Sequence, residues 1–367
     1  MRTTPTATTI PWILIALLAL SLGALFPYFE DVRNANERPR LLQAMSVMDT
    51  GDWHINGPGG RGFHTGPDIS RSPVSGKLVP NKPPGGTLVG LAAYPLGRVV
   101  HGKTYSLRDF TYWARILAGW LPTVLLLLWA VRRYSPRGDG LAAHLAVAMY
   151  ALATPAFAYS HLFYGHQLAA LCLFGGVVLM VDGKRQHVAW KSLAGGVLAG
   201  TAVLVEYGAA FAGVPIGLAL LSTAGTREGR GTVTAAIAGA AIPLLGLLTY
   251  HQQIYGSPWE TGYHHVVNAG FAAKHGQGFL GLGLPTAQGL QTHFFSPGGG
   301  LLWWAPLFPL AIYGLIRESM DSQDQFEAGL FLSIFVLLGL VGTSLSFDGG
   351  WRIGPRYLVV ALPALIP

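Results

Sequence analysis

"NERPRLLQAMSVMDTGDW", residues 36–53, follows directly on an apolar N-terminal run. Leu41, Ala44, Met45 and Met48 recur at i, i+3, i+4 and i+7, while Arg40, Gln43, Ser46 and Asp49 are polar. That periodicity predicts an amphipathic helix. Asn36 suits an N-cap and Pro39 a first helical turn. Glu37 then stands at a helix N-terminus beside Arg33, Arg38 and Arg40, where dipole and cations favour its ionised form. The preceding run, residues 10–29, has the length of a bilayer span and reads as an uncleaved anchor. The helix therefore belongs immediately across a membrane, with its apolar stripe on lipid.

The rest of the chain agrees with a membrane setting. It is 51% hydrophobic and only 11% charged, with mean hydropathy +0.42, whereas soluble domains carry about 25% charged residues. The expected fold class is an all-α polytopic membrane protein, one transmembrane domain over residues 1–367. Gly196 and Gly200 make a G-x-x-x-G step for close helix contact. The single Cys172 excludes a disulfide framework and a cysteine metal site. The net charge of +7 fits cytoplasmic loops and anionic lipid phosphates. No compact basic domain is present to bind nucleic acid.

Candidate spans cover residues 10–29, 112–131, 141–159, 168–181, 188–205, 209–221, 233–250, 301–316 and 329–345. A last span begins at Tyr357 and stops after about eleven residues, short of the ~20 a crossing needs, so a longer natural chain is expected. The run 188–221 is interrupted by Glu206, Tyr207 and Gly208 and reads as a helical pair turning there. Residues 83–100 are apolar but short, and read as a helix at the outer surface. With the N-terminus inside, the basic clusters Arg132/Arg133/Arg137, Lys184/Arg185, Arg227/Arg230 and Arg317 all fall on the cytoplasmic side. Two large outer loops result, residues 30–111 and 251–300, together with short outer segments 160–167 and 346–356.

The polar chemistry gathers in those outer segments. A carboxylate such as Glu37 can take a proton from a hydroxyl nucleophile. In "NKPPGG" Lys82 is a cation at the lip of an apolar segment, suited to a lipid phosphate, and equally to a lysine lying along the interface. In "FDGGWRIGPRY" Arg352 and Arg356 form a pair able to clamp a phosphate or diphosphate. Asp348, Glu260, His264, His161 and His166 are further outer groups for substrate or acceptor contacts. Their spacing does not define a metal site, and a divalent metal held by some of these acids and histidines stays open.

An acid opening an amphipathic helix, Gly51-Asp52-Trp53 beyond its end, and Lys82-Pro83-Pro84 later resemble the first outer loop of the GT-C glycosyltransferases. The resemblance is to bacterial relatives of protein O-mannosyltransferases and lipid A aminoarabinose transferases, and "FFSPGGGLLWWAP" and "GGWRIGPRYL" extend it over most of the chain. It implies a GT-C-like bundle and inverting transfer of a sugar from a polyprenyl-phosphate donor to an unidentified lipid, glycan or protein acceptor. Transfer would occur on the outer face of a bacterial cytoplasmic membrane, with Lys82, Arg352 and Arg356 on the donor phosphate. The family's first loop commonly opens with Asp-Glu; here Asn36 replaces the first acid, so Glu37 and Asn36 are the catalytic candidates, and either Glu37 takes the catalytic role or the first acid's role is reduced or lost. Two other readings stay open: a transporter or flippase of lipid-linked glycans, and a non-catalytic relative.

Overall fold

The computed structural model describes residues 6–24, 34–59, 63–102, 106–137, 140–276, 278, 281–321, 324–344 and 353–367. The N-terminal apolar run forms α1, Thr6–Ala24, which packs Ile15, Leu18 and Leu22 into the core. The opening stretch forms α2, Arg38–Thr50, with Pro39 in its first turn. Gly51 of Gly-Asp-Trp ends α2 in a left-handed conformation (φ 74°), its N–H on Val47 O. A short turn, α3 at Asn56–Gly59, leads to an antiparallel hairpin of Ile69–Arg71 and Leu78–Pro80, in which Ile69 faces Pro80.

The two halves of Gly-Asp-Trp have structural work in this layer. Asp52 accepts from Lys77 at 2.9 Å and pairs with His54, whose other ring nitrogen meets Ser75 Oγ at 2.8 Å. These contacts tie the hairpin turn to the exit of α2. Trp53 packs edge-on against Tyr250, and its carbonyl accepts from Gln43 at 2.7 Å.

Next come α4, Gly85–His101, and α5, Leu107–Arg115, which starts on a Ser106–Asp109 capping box. A π-helical turn, Ile116–Trp120, joins α5 to α6, Leu121–Tyr134. Pro155 ends the helical run that begins as α7, Leu141–Leu152, because its ring cannot continue the ladder; only the short α8, Ala156–Tyr159, follows. The expected span 141–159 is thus broken. Then follow α9, His166–Gln186, and α10, Ala189–Val205.

At Glu206 the backbone turns extended (φ −142°, ψ 113°), and a 3-10 helix, Tyr207–Ala212, passes to α11, Gly213–Leu221. The expected break between two helices is therefore where the sequence put it. The long α12, Arg227–Tyr255, runs parallel to α10: Gly196 faces Ala236, and a Cβ on Gly200 would lie 2.6 Å from Ala240 O. The glycine pair thus sets that close approach.

The remaining elements are α13, Ala269–His275; α14, Ala287–Leu290; α15, Leu301–Trp304; α16, Phe308–Asp321; α17, Gln325–Thr343; and a 3-10 stretch, Arg356–Leu365. The expected span 301–316 is split between Trp304 and Phe308, around Pro306. Among the described residues four helices are long and apolar enough to cross a membrane: Leu107–Tyr134, His166–Gln186, Arg227–Tyr255 and Gln325–Thr343.

The bundle has two polar ends. At one, Arg133 binds Asp182 at 2.7 Å and Glu327 at 2.6 Å, and Arg185 binds Asp324 at 2.7 Å. At the other, α9 begins with His166 and α10 ends at Glu206. The two ends are separated by the length of α9, about 30 Å at 1.5 Å per residue. The layer of α2, the hairpin and α4 sits on the Glu206 end.

α2 departs from the expected picture of a helix lying on lipid. Residues 39–46 are all buried, and only its last turns reach solvent, with Met48 exposed. Leu41, Leu42 and Ala44 pack with Phe110 of α5 and Phe163. The polar face is buried too, because it turns onto the bundle. Gln43 donates to Tyr250 Oη and accepts from Thr87 Oγ1 at 2.6 Å, and Arg40 donates to Tyr164 O at 2.7 Å.

Candidate functional site

Glu37, not Asn36, occupies the N-cap position of α2, and its side chain makes no cap bond. It is fully buried and turned towards α5. Arg115 Nε donates to Oε1 at 2.8 Å, Arg115 Nη2 donates to Oε2 at 2.6 Å, and the Phe163 N–H donates to Oε1 at 2.6 Å. Arg33 lies outside the described residues. Asn36 accepts no cap role either: its N–H goes to Asn34 Oδ1, and its amide donates to Asp68 Oδ2 at 3.4 Å. A carboxylate, Asp68, therefore stands beside the position where the resemblance expects an acid.

One turn further along α2, Arg40 enters a second cluster. Its Nη2 lies 3.9 Å from Glu206 Oε1, and His166 Nδ1 lies 3.3 Å from the same oxygen. Lys82 is buried and stands in the electrostatic field of Asp68, Arg356, Tyr357 and Arg40. Arg356 is likewise buried and acts on Glu206, His166, Tyr159 and Tyr164. Tyr263 closes one side, with Lys82 Nζ 4.9 Å above its ring and 3.4 Å from its hydroxyl.

Local sequence explains how these groups meet. In "NKPPGG" the prolines set the start of α4. A Cβ on Gly85 would fall 2.6 Å from Leu204 O, and one on Gly86 2.7 Å from Arg40 Cδ. Only glycines let α4 touch the end of α10 and the Arg40 side chain together. Gly165, at φ +86°, plays the same part from the other side, with its Cβ position 3.5 Å from Glu206 Oε1 and 3.7 Å from Arg40 Nη1.

The electrostatics follow from three cations in one buried place. Burial pushes the Lys82 ammonium below the ordinary lysine range, and Arg356 and Arg40 push the same way against the opposing pull of Asp68. Burial pushes the Glu206 carboxyl above the ordinary glutamate range, and the fields of Arg40, Arg356 and Lys82 only partly offset it. Several buried polar atoms meet no hydrogen-bond partner among the described residues: Arg40 Nε, both His166 ring nitrogens, Glu206 Oε1, and the side-chain amide atoms of nearby Asn81. Buried polar groups are otherwise almost always satisfied. A concentration of exceptions, cationic on balance, describes a cradle for an anionic polar ligand.

The structure sorts the sequence candidates. Lys82, Arg356 and His166 converge, and Glu37 lies one turn of α2 from the convergence. His161 does not join: its ring is held between Leu22 O at 2.8 Å and Phe157 O at 2.7 Å. Glu260, His264 and His265 form a more exposed group, with Glu260 Oε2 2.7 Å from His264 and 3.2 Å from His265. Arg352 and Asp348 lie outside the described residues. Among the described residues no group of three or more His, Cys, Asp or Glu could hold a metal ion.

Arg40, Asp68, Glu206, Tyr263 and Arg115 were not among the sequence candidates. Glu206 carried a signal, since an ionisable residue between apolar runs is a functional pointer by default. Arg40 looked like the solvated face of an amphipathic helix.

No family model and no curated protein matches the chain by sequence. By structure it is similar to the Archaeoglobus fulgidus oligosaccharyltransferase in its apo crystal form, with a TM-score of 0.52 and 13% identity, over 98% of this chain and 49% of that one. The chain thus spans about half the length of that protein. The likeness is one of fold: this chain is helical, with four candidate membrane spans among the described residues, and its helices are arranged like part of that membrane protein.

Proposed function

We propose that the protein transfers a sugar from a polyprenyl-phosphate-linked donor to an acceptor, inverting at the anomeric carbon, with the Glu206 end of the bundle on the extracytoplasmic face of a bacterial cytoplasmic membrane. The observation that carries this reading is the convergence of Lys82, Arg356 and Arg40, buried around unpartnered polar atoms at one end of a charge-poor bundle. Three cations at that place suit a phosphate that gains charge as the sugar leaves, and preorganised charge of this kind is worth most away from bulk water. The apolar helices beside it suit a polyprenyl tail. Arg352 is a further phosphate ligand in this reading, and the exposed Glu260–His264 group a candidate acceptor contact.

Glu37 takes a part other than the one its local sequence suggests. With both oxygens engaged by Arg115 and Phe163, it holds α2, α5 and the turn before Gly165 in register, and so keeps Arg40 aimed at Glu206. A non-catalytic lipid-glycan binder would share the phosphate cradle but not turn the donor over.

The test is native mass spectrometry of the purified full-length protein for a co-purifying polyprenyl-phosphate sugar, followed by transfer assays in liposomes. Lys82→Ala and Arg356→Ala should each weaken donor binding by about 10–100-fold, the worth of one charge-assisted hydrogen bond. Donor binding unchanged in both variants would sink the reading.

A further inference from the structure

The Glu206–His166 pair carries a second role, beyond phosphate holding. Its two side chains come from different elements, the break after α10 and the first residue of α9. They approach to 3.3 Å, and neither His166 nitrogen nor Glu206 Oε1 meets a hydrogen-bond partner among the described residues. His166 is only 5% exposed, so its imidazole is buried beside Glu206 with neither ring nitrogen in a hydrogen bond among the described residues. The chain leaves the helix at Glu206, and non-helical backbone in such a bundle is tolerated where it is buried in protein or faces water.

We propose that the Glu206 carboxylate, with the His166 imidazole beside it, is the proton acceptor of the transfer and therefore its catalytic residue, in place of Glu37. This inference rests on the glycosyltransferase reading. In the step, a lone pair on the acceptor hydroxyl oxygen attacks the anomeric carbon. The bond from that carbon to the phosphate oxygen breaks, and its electron pair stays on the phosphate, facing Lys82, Arg356 and Arg40. The hydroxyl proton passes to Glu206.

The contrast with Glu37 is physical. Both oxygens of Glu37 are engaged, by the Arg115 guanidinium and the Phe163 N–H, whereas Glu206 Oε1 meets no hydrogen-bond partner among the described residues. Glu206 is faced by Arg40 from α2, Lys82 from the turn before α4, His166 from α9, Arg356 from the C-terminal 3-10 stretch, Tyr263 from the second large loop, and Tyr207 next in sequence. Burial holds its affinity for protons above that of an ordinary glutamate despite three cations, and a base poised nearer neutral pH is the more effective one.

Two measurements decide it. Dicyclohexylcarbodiimide modifies protonated carboxyls in apolar surroundings. On the full-length protein, peptide mass spectrometry should find Glu206 modified, less so as pH rises, and Glu37 unmodified. Glu206→Gln should keep donor binding while losing about 10²–10⁴-fold in transfer rate, and Glu206→Asp should recover part of that loss with an altered acid limb of the pH–rate profile. Modification at Glu37 rather than Glu206, or transfer by Glu206→Gln at the wild-type rate, would overturn the proposal. Wild-type protein that neither carries nor transfers a lipid-phosphate sugar would instead overturn the glycosyltransferase reading, and the carbodiimide result would still report on Glu206 by itself.

Discussion

Arg115 grips Glu37 through both carboxylate oxygens, at 2.8 and 2.6 Å, and both side chains are buried. The pair joins the start of α2 to the end of α5, and the Phe163 N–H adds a third bond from the segment that leads into α9. The opening acid is thus a junction between three elements.

Removing one partner of that pair should cost more than removing both. Arg115→Met leaves a buried carboxylate unpaired, a change worth about 3–5 kcal/mol. Adding Glu37→Gln to Arg115→Met should restore much of the loss. Thermal unfolding of the three variants in detergent checks this; equal stabilities for single and double variants would show the pair to be inert.

Lys82 should make donor binding pH-dependent. Its folded-state pKa lies below the lysine reference value of 10.5, because burial and the neighbouring arginines oppose its charge. Below that depressed pKa the ammonium is charged in both states and folding is penalised. Stability should therefore rise as pH increases from the depressed value towards 10.5, while affinity for an anionic donor falls over the same range. A bound phosphate favours the charged form, so binding near the depressed pKa should take up protons. Calorimetry in buffers of different ionisation enthalpy measures that uptake, and Lys82→Arg should abolish it.

Gly86→Ala should disturb the site without touching any charged group. Its Cβ would lie 2.7 Å from Arg40 Cδ and 3.1 Å from Nη1, so the guanidinium must leave Tyr164 O or α4 must move. Donor affinity should fall by about tenfold or more, about 1.4 kcal/mol, with far-UV circular dichroism unchanged. A Gly76→Ala control, where no atom lies within 4 Å but φ is +71°, should affect only the local turn.

Asp52 should set the acid stability of the hairpin. Burial raises its carboxyl, but hydrogen bonds from His54 and Lys77 outweigh this and hold it below the reference value of 3.8. A carboxylate with a depressed folded pKa adds stability above its unfolded value and loses it as pH falls through the folded value. Its partial exposure limits the effect to about 1 kcal/mol or less. Amide exchange of residues 72–78 should quicken in Asp52→Asn at neutral pH, and in the wild type only in acid.

Much of the architecture was legible in the sequence because apolar runs and periodicity are local properties. The break at Glu206, a close helix contact at Gly196 and Gly200, an amphipathic helix within residues 36–53 and a helix over about 83–100 all follow from them; the partner at the glycine step, α12, does not. Pro155 and Pro306 were read through rather than as breaks, although proline chemistry carried that signal. Lys82, Arg356 and His166 are legible as candidates because each is an ionisable group beside an apolar segment. Arg40 was missed because periodicity reveals two faces of a helix and not which of them water sees. Asp68 was missed because its meeting with Asn36 spans 32 residues.

The sequence by itself determined that this chain is a charge-poor helical bundle with its cations and acids confined to the ends of helices, since hydropathy and breakers act residue by residue. Only the tertiary structure decided which charges face one another. It buried both faces of α2, gave Glu37 to Arg115, and left Glu206 with three cations and an unpartnered histidine. The physical reason is that pairing depends on through-space distances between segments far apart in the chain, here fixed by glycines at 85, 86 and 165 that let backbones approach where any side chain would hold them apart.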